Sequence, residues 1–481
     1  MDMFSDQQQT VLAVIIGVYF LVLVGISYAI NRNVKTYEEY SVAGRSVRTF
    51  PMVLTLIGTA IGGSILLGFM TKGYTLGMGQ VWILIVILVP SVFMALFMLR
   101  PIREIGSRQN LVTVGDFTSA VYGRHARFPT ALSMLTAYCA ITGMQFVAVA
   151  TILNLTIGLS MTQGILLGTV LLTVKTYLGG LKSVVFQDAI HGTIQTIGIF
   201  ALFVAVLIAS GGWSAIEAQA STLQMSDQLS PLNVSVSQMT VLLLTLGAYQ
   251  LVRQDLWQRV WAAKTMRTIQ VSFWIAIALQ TVIGMAVVAI GVMARFGLQL
   301  DSADPALIYY QAVAAVFPFP LVIIMVLALL ATVISCADSF FLAGSASIVN
   351  DIIKPMLHEP DTRLMLIYSK LSVAITAVIA CLLALYIPHL VTLWVVGTAM
   401  LVSGILAPVL AGLFWKGVSR VAGVSAMWSG LVFAIVWQVL DHPFGLHPVF
   451  IGLPLSIVVL VGLSLVTRDE RQPATTPSSL G

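Results

Sequence analysis

The sequence predicts an all-α integral membrane protein with about 13 transmembrane helices. Three observations support this fold class. Thirteen apolar runs each have roughly the 17–25 residues that an α-helix needs to cross a ~30 Å hydrocarbon core. The composition, 58% hydrophobic and 9% charged, is too apolar for a soluble domain. The basic residues lie in alternate loops, as the positive-inside rule requires of a multi-pass protein.

Hydropathy and run length place the helices, numbered 0 to 12 in chain order, at 10–30, 51–71, 79–99, 129–157, 162–178, 184–209, 239–258, 271–295, 319–349, 366–386, 389–413, 421–440 and 447–466. With the N-terminus outside and the C-terminus in the cytoplasm, 22 of the 24 basic residues fall on the cytoplasmic side. That set includes Lys175, Arg253 and Arg259, whereas Lys72 and Arg295 fall outside. We therefore expect a multi-pass protein of the plasma membrane, of the bacterial inner-membrane kind.

Residues 1–9 contain two aspartates and no base, so no cleavable signal is expected and helix 0 should remain in the mature protein. Two segments, 51–209 and 239–413, each contain five predicted spans, and the odd number gives them opposite orientations. Inverted repeats whose first helices are broken are typical of alternating-access transporters. The other segments are helix 0 with a cytoplasmic loop at 1–50, an extracellular loop at 210–238, helices 11 and 12 at 414–467, and a disordered cytoplasmic tail at 468–481.

Helix 1, the first helix of the first repeat, contains three glycines and two hydroxyl residues at bilayer depth: Gly58, Thr59, Gly62, Gly63 and Ser64. Glycine costs about 1 kcal/mol relative to alanine in a helix interior, and an opened helix frees carbonyls that can bind a cation. Close packing of small residues against a neighbouring helix is the alternative. Helix 6, its counterpart, carries a similarly polar and flexible segment around Gly247, Tyr249 and Gln250.

Helix 8 presents Thr332, Ser335, Cys336 and Ser339 at helical spacings of three and four, with Asp338 beside them. Oxygen ligands are what a hard monovalent cation needs in place of its water shell. Each hydroxyl has an alternative partner in the carbonyl four residues earlier. A carboxylate within the membrane is costly, so Asp338 indicates an ion path or a paired charge.

Asp188 is a second acid within a span, about one and a half turns into helix 5. A local pair with His191 or Lys182 is one interpretation, because buried charges are usually paired. The functional interpretation is that Asp188 and the region of Asp338 and Ser339 flank one ion exit path.

A central solute pocket is predicted only by location. Its candidate residues are Thr59, Ser64, Gln145, Tyr249, Gln250 and Trp394, on helices 1, 3, 6 and 10. Packing and hydrogen bonding between helices are the alternative roles for these side chains. No basic residue is expected at the middle of these helices, which argues against a directly salt-bridged anion, although helix dipoles can hold a carboxylate without one.

Six segments occur in an order and spacing typical of one family: YEEYSVAGRS at 37–46, GFMTKGYTLG at 68–77, LVTVGDF at 111–117, GGLKSVVFQD at 179–188, QRVWAAK at 258–264 and GLFWK at 412–416. Over nearly its whole length the chain resembles the sodium:solute symporter family, which includes proline, pantothenate, sialic acid and sugar carriers. The resemblance implies a LeuT-type fold with a sodium ion bound between helices 1 and 8.

Carried over by position, that sodium site comprises the backbone carbonyls of Gly58, Ile61 and Thr332 and the hydroxyl of Ser335. The family usually has a second hydroxyl after this serine. Here the residue is Cys336, whose soft sulfur is a poor sodium ligand, and this departure bears on the affinity of the site rather than on its existence.

The resemblance also implies a further cation site in some family members. It uses the aspartate of helix 5, which matches Asp188, and hydroxyls one turn beyond Ser335. This chain has Asp338 and Ser339 at those positions. An extra carboxylate there would strengthen cation binding or carry a proton instead.

The predicted function is secondary active transport, in which Na+ is the coupling ion for symport of a small polar organic solute into the cell by alternating access. The chain is expected to contact the lipid bilayer, and no obligate protein partner is indicated. Proton-coupled symport through Asp338 and Asp188, or a transporter-like sensor, are the alternatives. The sequence lacks the catalytic constellation of an enzyme, the repeated filter of a channel and the basic patch of a nucleic-acid binder.

Overall fold

A computed structural model of the chain describes residues 4–357 and 361–467, and these residues form a bundle of helices. The predicted tail at 468–481, with Arg468 and Arg471, lies outside the described residues. Ten helices are long and apolar enough to cross a membrane: Asp6–Asn31 (helix 0), Met78–Gln109 (helix 2), Arg124–Ile157 (helix 3), Leu181–Ala209 (helix 5), Met266–Phe296 (helix 7), Phe319–Met356 (helix 8), Thr362–Tyr386 (helix 9), Leu390–Phe414 (helix 10), Arg420–Val439 (helix 11) and Val449–Val466 (helix 12).

The remaining three predicted spans are also helical but are broken or short. Helix 1 consists of Thr49–Ala60 and Ile65–Leu76, which meet at an angle of 55° and together make an eleventh span. Helix 4, Met161–Tyr177, has 17 residues. Helix 6 is divided into Val236–Leu242, Leu243–Gly247, Ala248–Val252 and Gln254–Ala262. The number of long spans is therefore below the predicted 13, although every predicted segment forms helix.

Four short helices lie in the loops, where the sequence analysis placed no element. They are Tyr37–Val42, Val114–Tyr122, Trp213–Thr222 and Ile308–Val316. Each is much shorter than a membrane span, and a hydropathy search for spans cannot detect elements of this length. Helix Val114–Tyr122 begins with a capping box in which Thr113 and Asp116 satisfy each other's backbone N–H groups.

The break in helix 1 is caused by close packing of its glycines. The chain leaves helical geometry at Ile61, where φ is −97° and ψ is 86°. A Cβ atom at Gly62 would lie 2.9 Å from the Cys336 sulfur, and one at Gly63 would lie 3.0 Å from side-chain carbons of Ala148 and Val333. Only glycine permits helix 8 and helix 3 to approach the break this closely.

The break in helix 6 occurs at Arg253, whose ψ of 120° ends one segment and begins the next. The polar groups freed by the break have partners. The Trp257 indole donates to the carbonyl of Leu251 at 3.0 Å, and the N–H of Asp255 donates to the Tyr138 hydroxyl at 3.1 Å. An interrupted helix is tolerated within a membrane protein when buried side chains satisfy its backbone in this way.

Helix 5 packs against the first half of helix 1 and against helix 8, while helix 7 packs along both halves of helix 1. Helix 3 lies against helices 4, 8, 9 and 10. The two broken helices are therefore surrounded by the long ones, and their breaks are at the centre of the bundle.

Candidate functional site

The predicted sodium ligands converge where the break of helix 1 meets helix 8. The Cys336 thiol donates to the carbonyl of Gly58 at 3.3 Å and to that of Thr59 at 3.0 Å. Gly58 approaches helix 8 so closely that an added Cβ atom would lie 2.7 Å from the Ser335 hydroxyl oxygen. The carbonyl of Ile61 accepts a hydrogen bond from the Gln195 amide at 3.3 Å. The backbone of helix 1 before its break therefore packs directly against Ser335 and Cys336 of helix 8.

The hydroxyl of Thr332 is used within helix 8 itself. Its hydroxyl donates to the carbonyl of Ala328 at 2.8 Å, which is the local bond expected of a threonine within a helix. Ser335 behaves differently, because its hydroxyl donates to the Asp188 carboxylate of helix 5. A hydroxyl whose proton is directed to a carboxylate keeps lone pairs available for a cation.

Asp188 is completely buried and has three partners on three helices. Besides Ser335, the Thr55 hydroxyl of helix 1 donates to it at 2.5 Å, and a guanidinium nitrogen of Arg259 on helix 6 lies 3.3 Å away. Of the two interpretations of Asp188, the local pair with His191 or Lys182 is wrong. His191 instead bonds the Tyr19 hydroxyl at 3.0 Å, and Lys182 pairs with Glu39 at 2.7 Å.

Arg259 is the residue that joins these helices. Its guanidinium also donates to Thr55 at 3.1 Å, to Ser339 at 2.7 Å and to the Thr59 hydroxyl. The side chain is 1% exposed. The sequence analysis assigned Arg259 to the cytoplasmic side and gave it no further role. The structure shows that it is buried inside the bundle, where Asp188 compensates its charge.

The predicted second cation site is divided in the structure. Ser339 lies in the Arg259 cluster, where its hydroxyl is 3.0 Å from that of Thr59. Asp338 faces helix 4 instead, where it pairs with Lys175 and accepts from Thr176 at 2.7 Å. Asp188 and Asp338 therefore do not share direct partners. Lys175, in the last turn of helix 4, is likewise buried, at 1% exposure.

Arg253, at the break of helix 6, is the third basic residue of the predicted cytoplasmic set that the structure buries. It is 6% exposed and forms a two-point pair with Asp255, at 3.0 and 2.5 Å. It also donates to Gln250 at 3.1 Å and lies 5.2 Å over the Tyr249 ring. The expectation that no base lies midway along helix 6 is therefore wrong. The sequence did contain an indication of this buried base, because two opposite charges, Arg253 and Asp255, lie inside the predicted span.

Two small neighbouring cavities, of about 40 and 20 Å³, lie between the breaks of helices 1 and 6. Both are lined by Ala60, Ser91, Gln250, Arg253, Ile277 and Gln280. The larger extends to Trp394 and the smaller to Thr59 and Arg259. A separate surface cleft at Arg124, Arg127 and Trp428 contains none of these residues.

The structure therefore places Thr59, Gln250 and Trp394 at the cavities. Gln145 and Tyr249 are buried nearby rather than in the lining. Among the residues that the structure describes, the amide of Gln145 and the hydroxyl of Tyr249 find no hydrogen-bond partner. The side chain of Ser64 lies outside what the structure describes. Ser91 and Gln280 are lining residues that the sequence analysis did not identify, because single polar residues in apolar spans carry no distinct signal.

Comparison with known proteins identifies the family. The sequence model of the sodium:solute symporter family matches residues 40–432 of this chain. The chain belongs to the sodium:solute symporter family. It is 27% identical to the sodium/pantothenate symporter of Escherichia coli (strain K12), over 92% of this chain and 94% of the relative. It is 24% identical to a sodium/proline symporter of Staphylococcus aureus, over 95% of this chain and 92% of the relative.

The solved structures of transporters show the same fold. A Na+-coupled sialic acid symporter superimposes on this symporter-family chain with a TM-score of 0.82 at 15% identity, covering 96% of this chain and 98% of the other. A nucleobase-cation-symport-1 family transporter gives 0.56 at 13% identity, covering 90% and 96%. The predicted fold class, a multi-span helical protein with the LeuT-type arrangement, is confirmed. The chain is a membrane transporter and not an enzyme.

Proposed function

We propose that this transporter moves a sodium ion and a small organic solute together into the cell by alternating access. The observation that carries the proposal is the close approach of Gly58, before the break of helix 1, to the Ser335 hydroxyl, which donates to the Asp188 carboxylate. The sodium ion would be held by the carbonyls of Gly58, Ile61 and Thr332 and by Ser335. The proposed ligands are oxygens, as a hard cation requires.

The orientation of the protein is part of this proposal. We place the N-terminus outside and the C-terminus in the cytoplasm, because the basic residues of the loops lie predominantly on one side. Lys175, Arg253 and Arg259 are buried and no longer contribute to that asymmetry. In this orientation Asp188, near the beginning of helix 5, and the second half of helix 6 lie toward the cytoplasm, where the ion is released.

The solute we propose carries a carboxylate or a similar acceptor group. Arg253 has five N–H donors, and its bonds to Asp255 and Gln250 leave donors available beside both cavities. The unpartnered amide of Gln145 adds further hydrogen-bonding capacity near the break of helix 1. Proline and pantothenate, the solutes that the names of the two relatives give, are both small carboxylates.

A thermal-shift screen of the purified protein tests the proposal. Ligands that bind the native state stabilise it by RT ln(1 + [L]/Kd), so the melting temperature rises once their concentration exceeds Kd. We expect one or more small carboxylates to raise it in sodium chloride but not in choline chloride. Uptake in proteoliposomes that follows a pH gradient and ignores sodium would establish proton coupling in place of this proposal.

Ser335→Ala should raise the sodium concentration required for half-maximal uptake without reducing expression. Loss of one ligand among several costs on the order of 1–3 kcal/mol. Cys336→Ser gives the converse test, because a hard oxygen should tighten sodium binding at this position. If Ser335→Ala shows the sodium dependence of the wild type, Ser335 is not a ligand.

Arg253→Lys should weaken solute binding by on the order of 10-fold, because lysine retains the charge but not the planar fork of donors. Sodium-induced stabilisation should remain, since the sodium ligands are on helices 1 and 8. Arg100→Lys is the matched control, because Arg100 is exposed and pairs only with Glu104, one turn away. Equal solute affinity in both variants would remove Arg253 from the solute site.

A further inference from the structure

Lys175 and Asp338 form an ion pair inside the bundle, between helix 4 and helix 8. Both side chains are almost completely buried, at 1% and 2% exposure. Lys175 lies in the last turn of helix 4, where the helix dipole favours a base. Its side chain nevertheless turns into the bundle rather than toward the membrane surface. A charge in this location is costly unless it is paired, so each of the two side chains requires the other in the folded protein.

The pair lies beside the proposed sodium site. Asp338 is three residues after Ser335 and directly precedes Ser339. The Ser335 hydroxyl contacts Asp188, and the Ser339 hydroxyl contacts Arg259. These side chains leave one stretch of helix 8 in two directions. Ser335 and Ser339 face helices 1, 5 and 6, whereas Asp338 faces helix 4.

Both oxygens of the Asp338 carboxylate are occupied. One accepts from the Thr176 hydroxyl at 2.7 Å, and the other is paired with the Lys175 ammonium. A carboxylate with a neighbouring hydroxyl is a set of oxygen ligands suited to a hard monovalent cation. An ammonium group is itself a compact single positive charge. The Lys175 nitrogen thus takes the place that a free cation would need in order to reach Asp338.

We propose that the Lys175 ammonium permanently fills a second cation position at Asp338, so that this transporter binds one sodium ion where an unfilled position would let it bind two. The proposal rests on the sodium coupling proposed above. A tethered cation is never released to the cytoplasm, and it therefore adds nothing to the driving force. The solute gradient that this protein can sustain is then set by the gradient of a single sodium ion.

The test counts bound sodium on the purified full-length protein with radioactive 22Na+, together with the melting temperature in sodium and in choline chloride. We expect one saturable sodium ion in the wild type and two in Lys175→Ala, whose melting temperature should rise with sodium more steeply than that of the wild type. Lys175→Ala with Asp338→Ala removes the carboxylate and should return the count to one. Arg127→Ala is the control. It breaks a different ion pair, with Asp116 at 2.8 Å, at the beginning of helix 3, and it should leave the count at one.

Two sodium ions in the wild type, or no additional ion in Lys175→Ala, would overturn the proposal. A second ion that persists in the double variant would also overturn it, because the carboxylate would not be its ligand. If Lys175→Ala cannot be obtained folded, Lys175→Thr, which keeps a neutral oxygen beside Thr176, provides the same count. If the wild type binds no sodium but Lys175→Ala gains one ion that the double variant loses, sodium coupling fails while the role of Lys175 stands.

Discussion

Arg259→Gln is expected to abolish coupled uptake and to lower the melting temperature sharply. The substitution leaves the Asp188 carboxylate buried without its cation, and removal of one partner from a buried pair costs about 3–5 kcal/mol. It also removes the donor that connects helix 1, through Thr55 and Thr59, with helix 8, through Ser339. Sodium-dependent uptake and thermal unfolding of the purified variant measure the two effects.

Two control variants separate the effect of the unpaired Asp188 charge from the loss of the Arg259 hydrogen bonds between helices 1 and 8. Asp188→Asn with Arg259→Gln removes both charges and should recover much of the lost stability, but not uptake, because the carboxylate beside the sodium site is absent. Lys182→Gln breaks the half-exposed pair with Glu39 and should cost no more than about 1 kcal/mol. Uptake at the wild-type level in Arg259→Gln would show that Arg259 has no role in coupling.

Gly291→Ala should strongly destabilise the protein by separating helix 7 from the second half of helix 1. A Cβ atom at Gly291 would overlap the carbonyl oxygen of Met70, and one at Gly73 would overlap that of Val288. The two glycines thus let two backbones touch at adjacent points. Overpacking of this kind typically costs about 1–3 kcal/mol and occasionally more. We expect a cost near the upper end of that range for Gly291→Ala, because the atom in the way belongs to the backbone and cannot rotate aside.

Gly25→Ala in helix 0 is the matched control, because nothing lies within 4 Å of its added Cβ atom. Alanine favours helix by about 1 kcal/mol relative to glycine, so this control should be neutral or slightly stabilising. The measurement is the melting temperature of both purified variants. A Gly291→Ala protein that melts with the wild type would contradict the close approach of helices 1 and 7.

The break of helix 1 was predictable from its residues, whereas the roles of the buried bases were not. Gly62 and Gly63 mark the break in the sequence itself, and the hydroxyls of helix 8 show their common face through spacing alone. Hydropathy assigns a charge to the nearest loop, because an unpaired charge in lipid is costly. That rule assigned Lys175, Arg253 and Arg259 to cytoplasmic loops or helix ends, and it could not show that each of them is paired inside the protein.

The sequence by itself determined that the chain is a helical membrane protein, where its spans lie and which helix is opened by glycine. These properties depend on the transfer of local segments into lipid and on local backbone preference. Only the tertiary structure decided that Asp188 pairs with Arg259 rather than with a neighbour, and that Asp338 pairs with Lys175, 163 residues away. The choice of a buried ion's partner depends on which helices pack together, and no local pattern in the chain records that choice.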